Sequence, residues 1–561
     1  MTRAHRIEPP TIGMLLVLPA AVGLVLATGC RQRLPDQRHD AGVDASGPVC
    51  DPDSGAPDVV RPELPRPLGD LTGPWQLFVD DHLVAQRTGL TRILHPAEKH
   101  PANPVMSATE PWEDAYVYVY GRVMPAEAGA GFRMWYSVLD FGDPTGASRV
   151  LYAESPDGLA WNKPALGIRS WNGDTDNNFF IPRDRPNHIL SVMHTPWDPD
   201  PGCAYKLINF DGGYLGLPAG YNAACSADGV HLTDLAQNPV IDTATVGVGD
   251  VGQFLRDPWG RRYLGYVKVA GDVAGYRRRL VALTTTQDFA AWPTTPPEIV
   301  LQPDAIDDRW ATDAALDLAT NRTHFYGLSV FPYESQFLGF LWIFRASDPP
   351  SCGHDCEPYT GYIFGTIHVE LVSSRDGLTF TRTEPDATGL RPAILPLGPA
   401  GAWDSMMIFT ANHPLRLGDE LRIYYGGCDE DHGRVGTNGS AAVGLATLRK
   451  DGFVSLDAQT APGTLVTPLL AGIAGQALRL NFRTSVGGTV RVAVLSDNGQ
   501  VVPGFDEADC DPLEGDAVDR TVTWGSRAAL PAPPCLVRLR FTLQDASLFS
   551  FAAGDALHLA E

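Results

Sequence analysis

Positive charge is scarce in this chain of 561 residues. It has 43 Lys and Arg against 66 Asp and Glu, which gives a formal net charge of -23 at pH 7. Nucleic-acid phosphates require a basic surface, so the acidic excess argues against nucleic acid as a partner. The composition also offers no polybasic patch for acidic lipids. A neutral or cationic ligand, or a sugar, fits this chain more easily.

Two common catalytic signatures are missing. No Gly-rich loop follows a strand-like run and opens a helix, so we expect no nucleotide cofactor. No Gly-x-Ser-x-Gly elbow occurs, which argues against serine hydrolysis of that type. Long helical periods are few, whereas 57 Gly and 47 Pro are typical of short strands joined by many turns. These features predict an all-β protein.

The first 29 residues have the pattern of a signal peptide. Arg3, His5 and Arg6 form a basic start, residues 12–27 are mostly apolar, and small residues precede Cys30. The segment resembles a bacterial lipoprotein signal, which implies lipidation of Cys30. An ordinary secretory signal cleaved nearby is the alternative. Both interpretations predict an exported protein, and the first anchors it to the cell envelope by lipid alone.

Residues 30–68 are rich in Pro, Asp and Gly and poor in aromatics. Such a composition cannot build a core and predicts a disordered tether. The folded part is expected to begin near Trp75, and we place its first domain at residues 69–460.

Eight cysteines remain if Cys30 carries lipid, an even number that suits disulfides in an oxidising compartment. The predicted pairs are Cys352 with Cys356, Cys203 with Cys225, and Cys510 with Cys535. A metal site at Cys352, His354 and Cys356 is the alternative for the first pair, but it lacks a second pair of ligands. We therefore predict no metal there.

The stretch SPDGLAWNK, residues 155–163, recurs in related form four more times along the chain. The copies begin at Ser226, Thr286, Ser374 and Arg449. Each copy follows short strand-like runs, and three strands followed by an Asp turn into a fourth make one blade of a propeller sheet. The repeat therefore predicts a five-bladed β-propeller over residues 69–460.

The sequence pattern changes after about Ala461. Alternating segments such as ALRLNF and TVRVAVLS continue between Gly and Pro turns, but without the Asp turn. They predict a β-sandwich over residues 461–561. A module that packs against the propeller is the simpler role for it, and a sugar-binding module is the alternative.

Several segments together resemble exported bacterial proteins related to the N-terminal domain of glycoside hydrolase family 32. They are QLFVDDHLV at 76–84, HPAEKHPANPV at 95–105, the repeated turns and the terminal sandwich. Family 32 and the related family 43 are five-bladed propellers that cleave glycosidic bonds with carboxylates around a central funnel. The resemblance therefore implies that fold, a carbohydrate substrate and hydrolysis of O-glycosyl bonds.

This chain departs from the family in its motifs. The Asn-Asp-Pro-Asn and Glu-Cys motifs are absent, and the one Arg-Asp-Pro, at 256–258, lies between two strand-like runs. Asp, Pro and Gly in that position are typical of a hairpin turn. We therefore expect Asp257 to cap a turn on the face away from the funnel.

Propeller topology indicates where a site should lie. The start of each blade's first strand and the loop joining its second and third strands open at the same mouth. Carboxylates at these positions include Glu113, Asp114, Asp250, Asp313, Glu334 and Asp404. Such a ring could supply the protonated acid and the ionised carboxylate that acetal hydrolysis requires.

From this set the resemblance implies roles by position. Asp114 stands in the place of the family's first-blade aspartate and Asp250 in that of its middle aspartate, while Glu334 is the glutamate chosen as acid. These three are predicted to be catalytic. The predicted substrate-binding residues are Glu113, Asp313, Asp404, Tyr333 and Trp403.

Other interpretations of the acidic ring remain open. Each Asp could simply cap a turn, and a ring of carboxylates could hold a structural calcium ion, although we predict no obligatory cofactor. Three functions follow from the sequence: hydrolysis of a glycosidic bond, which we favour; a non-catalytic carbohydrate-binding lipoprotein; and a scaffold for protein contacts.

Overall fold

The structure is a computed structural model that describes residues 71–129, 131–139, 148–183, 187–212, 219–347, 364–434, 439–554 and 558–559. The predicted signal peptide, Cys30 and the tether lie outside these ranges, as do Cys352 and Cys356. No helix in the described part is long and apolar enough to cross a membrane. Among the described residues, helical structure is confined to short turns, which are α1 (Thr243–Val246), α2 (Arg309–Thr312) and 3-10 turns at Glu127–Gly129 and Pro201–Cys203.

Within the described residues, strand pairing forms five blades, preceded by four short strands: β1 (Gln76–Leu77), β2 (Gln86–Thr88), β3 (Thr91–Leu94) and β4 (Glu98–Lys99). Blade one contains β5 (Tyr116–Tyr118), β6 (Val123–Pro125), β7 (Phe132–Leu139) and β8 (Ser148–Ser155). Blade two contains β9 (Asn187–His194), β10 (Tyr205–Asp211), β11 (Gly220–Ser226), β12 (Thr233–Asp234) and β13 (Ile241–Asp242). These and the following blades establish the predicted propeller.

The remaining blades follow in chain order. Blade three contains β14 (Gly252–Arg256), β15 (Tyr263–Val273), β16 (Tyr276–Thr286) and β17 (Glu298–Leu301). Blade four contains β18 (Arg322–Tyr333), β19 (Gln336–Ala346), β20 (Gly365–Ser374) and β21 (Thr381–Arg382). Blade five contains β22 (Met407–Thr410), β23 (Leu415–Leu417), β24 (Glu420–Cys428) and β25 (Ala441–Arg449).

The ring is closed by chain that precedes the first blade. Strand β4 pairs antiparallel with β25, so Glu98 and Lys99 supply the outer edge of blade five. The first strands of the blades surround the axis and run in one direction. We call the end where they begin the entrance mouth and the end where they finish the far mouth. The axis between the mouths is filled by aromatic rings, with Tyr120 stacked on Trp342 at 5.2 Å between centroids and in edge contact with Phe409.

The repeated Asp turns share one hydrogen-bonding pattern. In the first of them the Ser155 hydroxyl accepts from Gly158 N at 2.8 Å, and Asp157 Oδ1 accepts from the two amides that follow. The turns at Asp228 and Asp376 repeat this arrangement. Gly158 adopts φ +78°, a conformation that a β-carbon strains, which explains the glycine of the motif.

The C-terminal strands form the predicted β-sandwich. They are β26 (Val454–Ala458), β27 (Gly463–Val466), β28 (Leu470–Ala471), β29 (Leu478–Ser496), β30 (Asp516–Thr521), β31 (Val537–Ala553) and β32 (His558–Leu559). Strands β1, β2 and β3 pair with β31, β27 and β26. Residues 76–94, which the sequence assigned to the propeller, therefore hydrogen-bond within the sandwich sheet.

Candidate functional site

A pocket of about 200 Å³ opens at the entrance mouth on the propeller axis. All five blades contribute to its wall. The lining residues are Tyr116, Tyr118, Tyr120, Leu139, Ser148, His188, Asp250, Tyr326, Met407, Phe409, Cys428 and His432. Among these described residues Asp250 is the one carboxylate, and most of the remaining surface is aromatic.

The sequence of the first inner strand explains the aromatic wall. In AYVYVY the side chains alternate between two faces, because successive residues of a strand point in opposite directions. Tyr116, Tyr118 and Tyr120 pack in the axial core, whereas Val117 and Val119 pack inside blade one. Three tyrosines therefore reach the pocket from one strand. Aromatic faces of this kind stack well on the apolar face of a sugar ring.

Asp250 is positioned by the hairpin of blade three. Gly249 N donates to Lys268 O at 2.7 Å, and Lys268 N donates to Val251 O at 2.8 Å, so Asp250 lies opposite Lys268 where the first strand begins. The Lys268 ammonium lies 2.5 Å from Asp250 Oδ1. The Asp250 side chain remains 46% exposed and is therefore accessible to a ligand.

The charge state of this pair follows from its surroundings. Partial burial alone would raise the pKa of Asp250, but attraction to Lys268 and to His188 holds it well below its usual value. Burial lowers the pKa of Lys268, and Asp250 opposes that change. Asp250 is therefore an ionised carboxylate at neutral pH, which suits a nucleophile, a base or a group that stabilises positive charge.

Two histidines complete the polar part of the pocket. His188 Nδ1 lies 2.8 Å from Ser148 Oγ, and its Nε2 lies 3.7 Å from Asp250 Oδ2. His432 Nε2 lies 3.1 Å from the hydroxyl of Tyr326. Burial raises the pKa of Tyr326, so this phenol stays protonated and can donate a hydrogen bond to a ligand.

Two further carboxylates lie at the rim. Glu430 Oε2 accepts a hydrogen bond from the hydroxyl of Tyr116, which places this glutamate beside the pocket wall. Asp114 comes two residues before Tyr116; it is exposed and has φ +48°. Asp114 therefore lies near the entrance mouth but does not line the pocket.

Glu334 is not at the entrance mouth, and its predicted position there is wrong. The pairing of β18 with β19 runs to Tyr333 and Gln336, so the segment FPYESQF is the hairpin between the first and second strands of blade four. That hairpin opens at the far mouth. Glu334 is 1% exposed and binds Arg416 at 3.0 Å and Trp75 N at 3.3 Å, and the Tyr333 hydroxyl donates to Asp451 at 2.8 Å.

Glu113 and Asp404 are structural rather than substrate-binding. Glu113 is 0% exposed, binds Lys163 at 2.6 Å and accepts from the Tyr136 hydroxyl at 2.6 Å. Asp404 is buried and binds Lys99 at 2.6 Å. Because their oxygens are already occupied inside blades one and five, neither carboxylate is presented to a ligand.

The other predicted substrate-binding residues also lie away from the pocket. Asp313 follows helix α2, and its carboxylate lies 3.5 Å from the guanidinium of Arg309. Trp403 stacks on Tyr425 with 5.6 Å between ring centroids and packs inside blade five. Asp257 behaves as expected: its Oδ1 accepts from Trp259 N and Gly260 N, both at 2.9 Å, in the turn after β14.

Of the predicted disulfides, one is present among the described residues and one is wrong. Cys203 and Cys225 form the predicted bridge within blade two. The pairing of Cys510 with Cys535 is wrong, because Cys510 is a buried free thiol and Cys535 is disulfide-bonded elsewhere. Cys510 Sγ lies 3.3 Å from Val492 N within the sandwich core, so packing explains its burial.

The suggested calcium ion gains no support from a ligand cluster. In the part of the chain that is described, no group of three or more His, Cys, Asp and Glu side chains converges as a metal site would require. Asp250, with Lys268 as its nearest charge, is poorly suited to a cation.

Part of this site can be predicted from the sequence. The sequence places Asp250 at this mouth because it stands at the start of the first strand of blade three. The aromatic residues were missed, although the alternation of Tyr116, Tyr118 and Tyr120 was visible. His188 and Tyr326 could not be predicted in this way. Each is the single pocket residue of its strand, and no motif shows where that strand begins.

Comparison with known proteins gives similarity of overall fold only. No protein-family model matches the chain. No curated protein matches it in sequence.

Solved structures that resemble the chain include a glycoside hydrolase family 43 arabinoxylan arabinofuranohydrolase from Bacillus subtilis, 12% identical, which covers 82% of this chain and 99% of that one with a TM-score of 0.36. A fructofuranosidase from Schwanniomyces occidentalis is 11% identical over 82% of this chain and 97% of that one, with a TM-score of 0.37. An N-acetylgalactosamine deacetylase from F. plautii is 12% identical over 65% of this chain and 97% of that one, with a TM-score of 0.40. Because these scores are low, the fold assignment rests on the strand pairing described above.

Proposed function

We propose that the entrance pocket binds one sugar residue of a glycan and that the protein hydrolyses the glycosidic bond of that residue. The observation that carries the proposal is the ionised carboxylate of Asp250 at the edge of an aromatic pocket on the propeller axis. Stacking on tyrosines binds the ring, and the carboxylate faces its polar edge.

Hydrolysis of an acetal also needs a proton donor for the leaving oxygen. Glu430, hydrogen-bonded to Tyr116 at the rim, is the carboxyl group that contacts the pocket wall beside Asp250. In the proposed reaction Asp250 acts as the ionised group, either as nucleophile or as base toward water. If Asp250 is the nucleophile, it forms a glycosyl ester, and Glu430 gives its proton to the leaving oxygen and then takes one from the water that cleaves the ester. If Asp250 is the base, it takes the proton of the attacking water while Glu430 protonates the leaving oxygen, and proton exchange with solvent then restores both groups.

A second candidate function is carbohydrate binding without cleavage. It is favoured by the ion pair itself, because Lys268 at 2.5 Å occupies one oxygen of Asp250 and would weaken it as a nucleophile. The same pocket would then hold a sugar by stacking and hydrogen bonds alone.

The deciding experiment is a glycan panel of plant, algal and microbial polysaccharides, incubated with the chain lacking residues 1–30. Release of sugar is measured for the wild type, Asp250→Asn, Glu430→Gln and Glu334→Gln. We expect the first two substitutions to lower the rate by about 100-fold or more, as loss of an acid or base group does. Glu334→Gln is the matched control, because Glu334 lies at the other mouth.

The outcomes separate the candidates. Release that depends on Asp250 and Glu430 but not on Glu334 supports hydrolysis at the entrance pocket. Binding that Asp250→Asn weakens, with no release from any glycan, supports the non-catalytic function. Release that survives both substitutions contradicts the site.

We also propose that the chain is exported and anchored through lipid on Cys30. The basic start, the apolar run and the cysteine support this, as does the Cys203–Cys225 disulfide, since disulfides persist in oxidising compartments. Labelled fatty acid should enter the wild-type protein expressed in a bacterial host and should not enter Cys30→Ser. Equal labelling of both proteins would contradict the anchor.

A further inference from the structure

A second pocket, of about 80 Å³, lies at the far mouth, where the first strands of the blades end. It is separated along the axis from the entrance pocket by the stacked rings of Tyr120 and Trp342. All five blades reach it, and Leu71 of the segment that precedes β1 also lines it. The proposed glycan site does not include it.

The polar lining of this far pocket is basic. Four blades each contribute a basic side chain: Arg122 from blade one, His194 from blade two, Arg256 from blade three and His413 from blade five. No carboxylate is among the described residues that line it. In a chain with a net charge of -23, convergence of four basic side chains on one axial pocket requires a reason.

The acids nearest to these groups are occupied. Asp257 is adjacent to Arg256, but its Oδ1 accepts two backbone amides and its Oδ2 binds Arg262 at 3.0 Å. Glu127, the acid that faces His194, accepts from the hydroxyl of Tyr205 at 3.0 Å. Neither carboxylate lines the pocket, so neither serves as its counter-charge.

One of the lining groups has an open hydrogen-bonding position. His413 is 8% exposed, and its Nδ1 is buried with no hydrogen-bond partner among the described residues. A buried polar atom in this state costs free energy unless a bound water or ligand satisfies it. The imidazole of His413 lies in the pocket wall, so a ligand bound there would contact the ring that carries this open position.

The two histidines of the pocket are uncharged at neutral pH. Burial and the neighbouring Arg122 lower the pKa of His413 well below its usual value. Burial, Arg122 and Arg133 lower the pKa of His194 to about 4. Burial is the larger cause of both shifts and the arginines add to it, so the positive charge of the pocket comes from Arg122 and Arg256.

We propose that the far pocket binds a small tetrahedral oxyanion, phosphate or sulfate, held by Arg256, Arg122 and His413. The volume of about 80 Å³ suits such an ion, since one water occupies about 30 Å³ of the liquid. Arginine suits these anions because it carries five N–H donors in one plane. Nη1 of Arg256 already donates to the carbonyls of Asp257 and Arg262, so its other N–H groups would meet the ion. The ion would tie together three blades at the far mouth.

The test is calorimetric titration of the full chain with inorganic phosphate and, separately, with inorganic sulfate, at constant ionic strength set with chloride. A third titration with glucose 6-phosphate shows whether the site accepts an ester as well as a free ion. We expect one site with a Kd of about 1 mM or tighter for at least one inorganic ion.

Matched variants locate the binding. Arg256→Gln and His413→Gln should each weaken the binding by about tenfold or more, as loss of a charged or buried hydrogen bond does. Arg261→Gln is the control, because Arg261 is an exposed arginine in the same turn and does not line the pocket. Near-ultraviolet circular dichroism of each variant checks that the fold persists.

Two results overturn the proposal. The first is the absence of saturable binding of either inorganic ion to the folded wild-type chain. The second is binding that Arg256→Gln and His413→Gln leave unchanged, which would place the ion elsewhere, for example beside Lys268. If one variant fails to fold, the other and the Arg261→Gln control still decide the question.

Discussion

The surroundings of Asp250 and Glu334 shift the pKa values of these two carboxylates in opposite directions. Asp250 is half-exposed beside the Lys268 ammonium, and its pKa is lowered. Burial and the nearby Asp451 raise the pKa of Glu334 to about 7, although Lys450 and Arg416 oppose this. Environment therefore decides which of them is charged at neutral pH, and the residue type alone could not show it.

The raised pKa of Glu334 predicts a pH-dependent stability. The ordinary value is 4.5, so between about pH 4.5 and about pH 7 the folded chain keeps a proton that the unfolded chain releases. The free energy of unfolding should therefore fall as pH rises through this window, by about 3 kcal/mol in total from this group. Glu334→Gln carries no titrating group and should remove this fall.

Urea unfolding of wild type and Glu334→Gln at several pH values between about pH 5 and about pH 8 measures the effect. Glu420→Gln is a suitable control, since Glu420 is exposed and pairs with Arg422 at the surface. The idea fails if wild type and Glu334→Gln keep a constant difference in stability across the window.

At the scale of elements, the repeated Asp turn joins neighbouring blades. The carbonyl of Asp157 in blade one accepts from Arg422 of blade five at 2.7 Å, and that of Gly158 accepts from Tyr424 at 2.9 Å. Blades three and four repeat the contact, with Arg262 and Tyr266 donating to the turn at Asp376. Arg133 of blade one donates to the turn at Asp228 in blade two. The repeated turn therefore stabilises the contacts between blades and does not line the entrance pocket.

Replacement of the turn glycine should test this role. Gly158→Ala and Gly418→Ala both place alanine at positive φ, +78° and +59°, which costs about 1–2 kcal/mol each. A β-carbon on Gly158 would also press against the Tyr424 hydroxyl and Arg422, whereas one on Gly418 meets nothing within 4 Å. We expect Gly158→Ala to cost about 1–3 kcal/mol more in urea unfolding. Equal losses would show that the contact between blades contributes nothing.

The disulfide of blade two gives a second prediction at this scale. Cys203 and Cys225 are 22 residues apart, and a bridge closing such a loop stabilises the fold by about 3 kcal/mol. Replacing both by Ser should cost about that amount. Cys510→Ser should cost clearly less, because Cys510 is a free thiol and Ser can keep the contact with Val492 N. A similar loss of stability in both proteins would instead indicate that Cys510 forms a disulfide with another cysteine.

The sequence predicted elements better than their connections. Five turns gave five blades, because turn chemistry is local and each copy carries its own Asp, with both Ser and Gly beside it in three of the five. The sequence is misleading at Glu334, because the first strand of blade four is 12 residues long and Pro332 near its end suggests an earlier break. The acidic turn after it therefore resembles the loop between the second and third strands. Residues such as Arg422, which meets a turn 265 positions earlier, leave no local signal at all.

On the scale of the whole molecule, a buried network joins the propeller to the sandwich. Asp451 is 0% exposed at the end of blade five. It accepts from the hydroxyl of Tyr333 in blade four at 2.8 Å and from Ser550 of the sandwich at 2.6 Å. Arg449 donates to Asn481 of the sandwich at 2.8 Å. The two parts therefore share charged and polar groups that neither satisfies alone.

Removal of Asp451 should separate the unfolding of the two parts. In the wild type these shared contacts should produce one cooperative transition, seen alike by fluorescence and circular dichroism. Asp451→Ala leaves Tyr333, Ser550 and the Lys450 ammonium without their common partner, and such a loss costs about 3–5 kcal/mol.

Calorimetric scans of the wild type, Asp451→Ala and Asp519→Asn give the comparison. Asp519 makes an exposed ion pair with Arg479 within the sandwich, so its substitution should leave the transition single and nearly unshifted. Asp451→Ala should show two transitions, because the propeller and the sandwich would then unfold at their own temperatures. A single transition in that variant, merely shifted to lower temperature, would mean that strands β1–β3 and their pairing with the sandwich sheet suffice to couple the two parts.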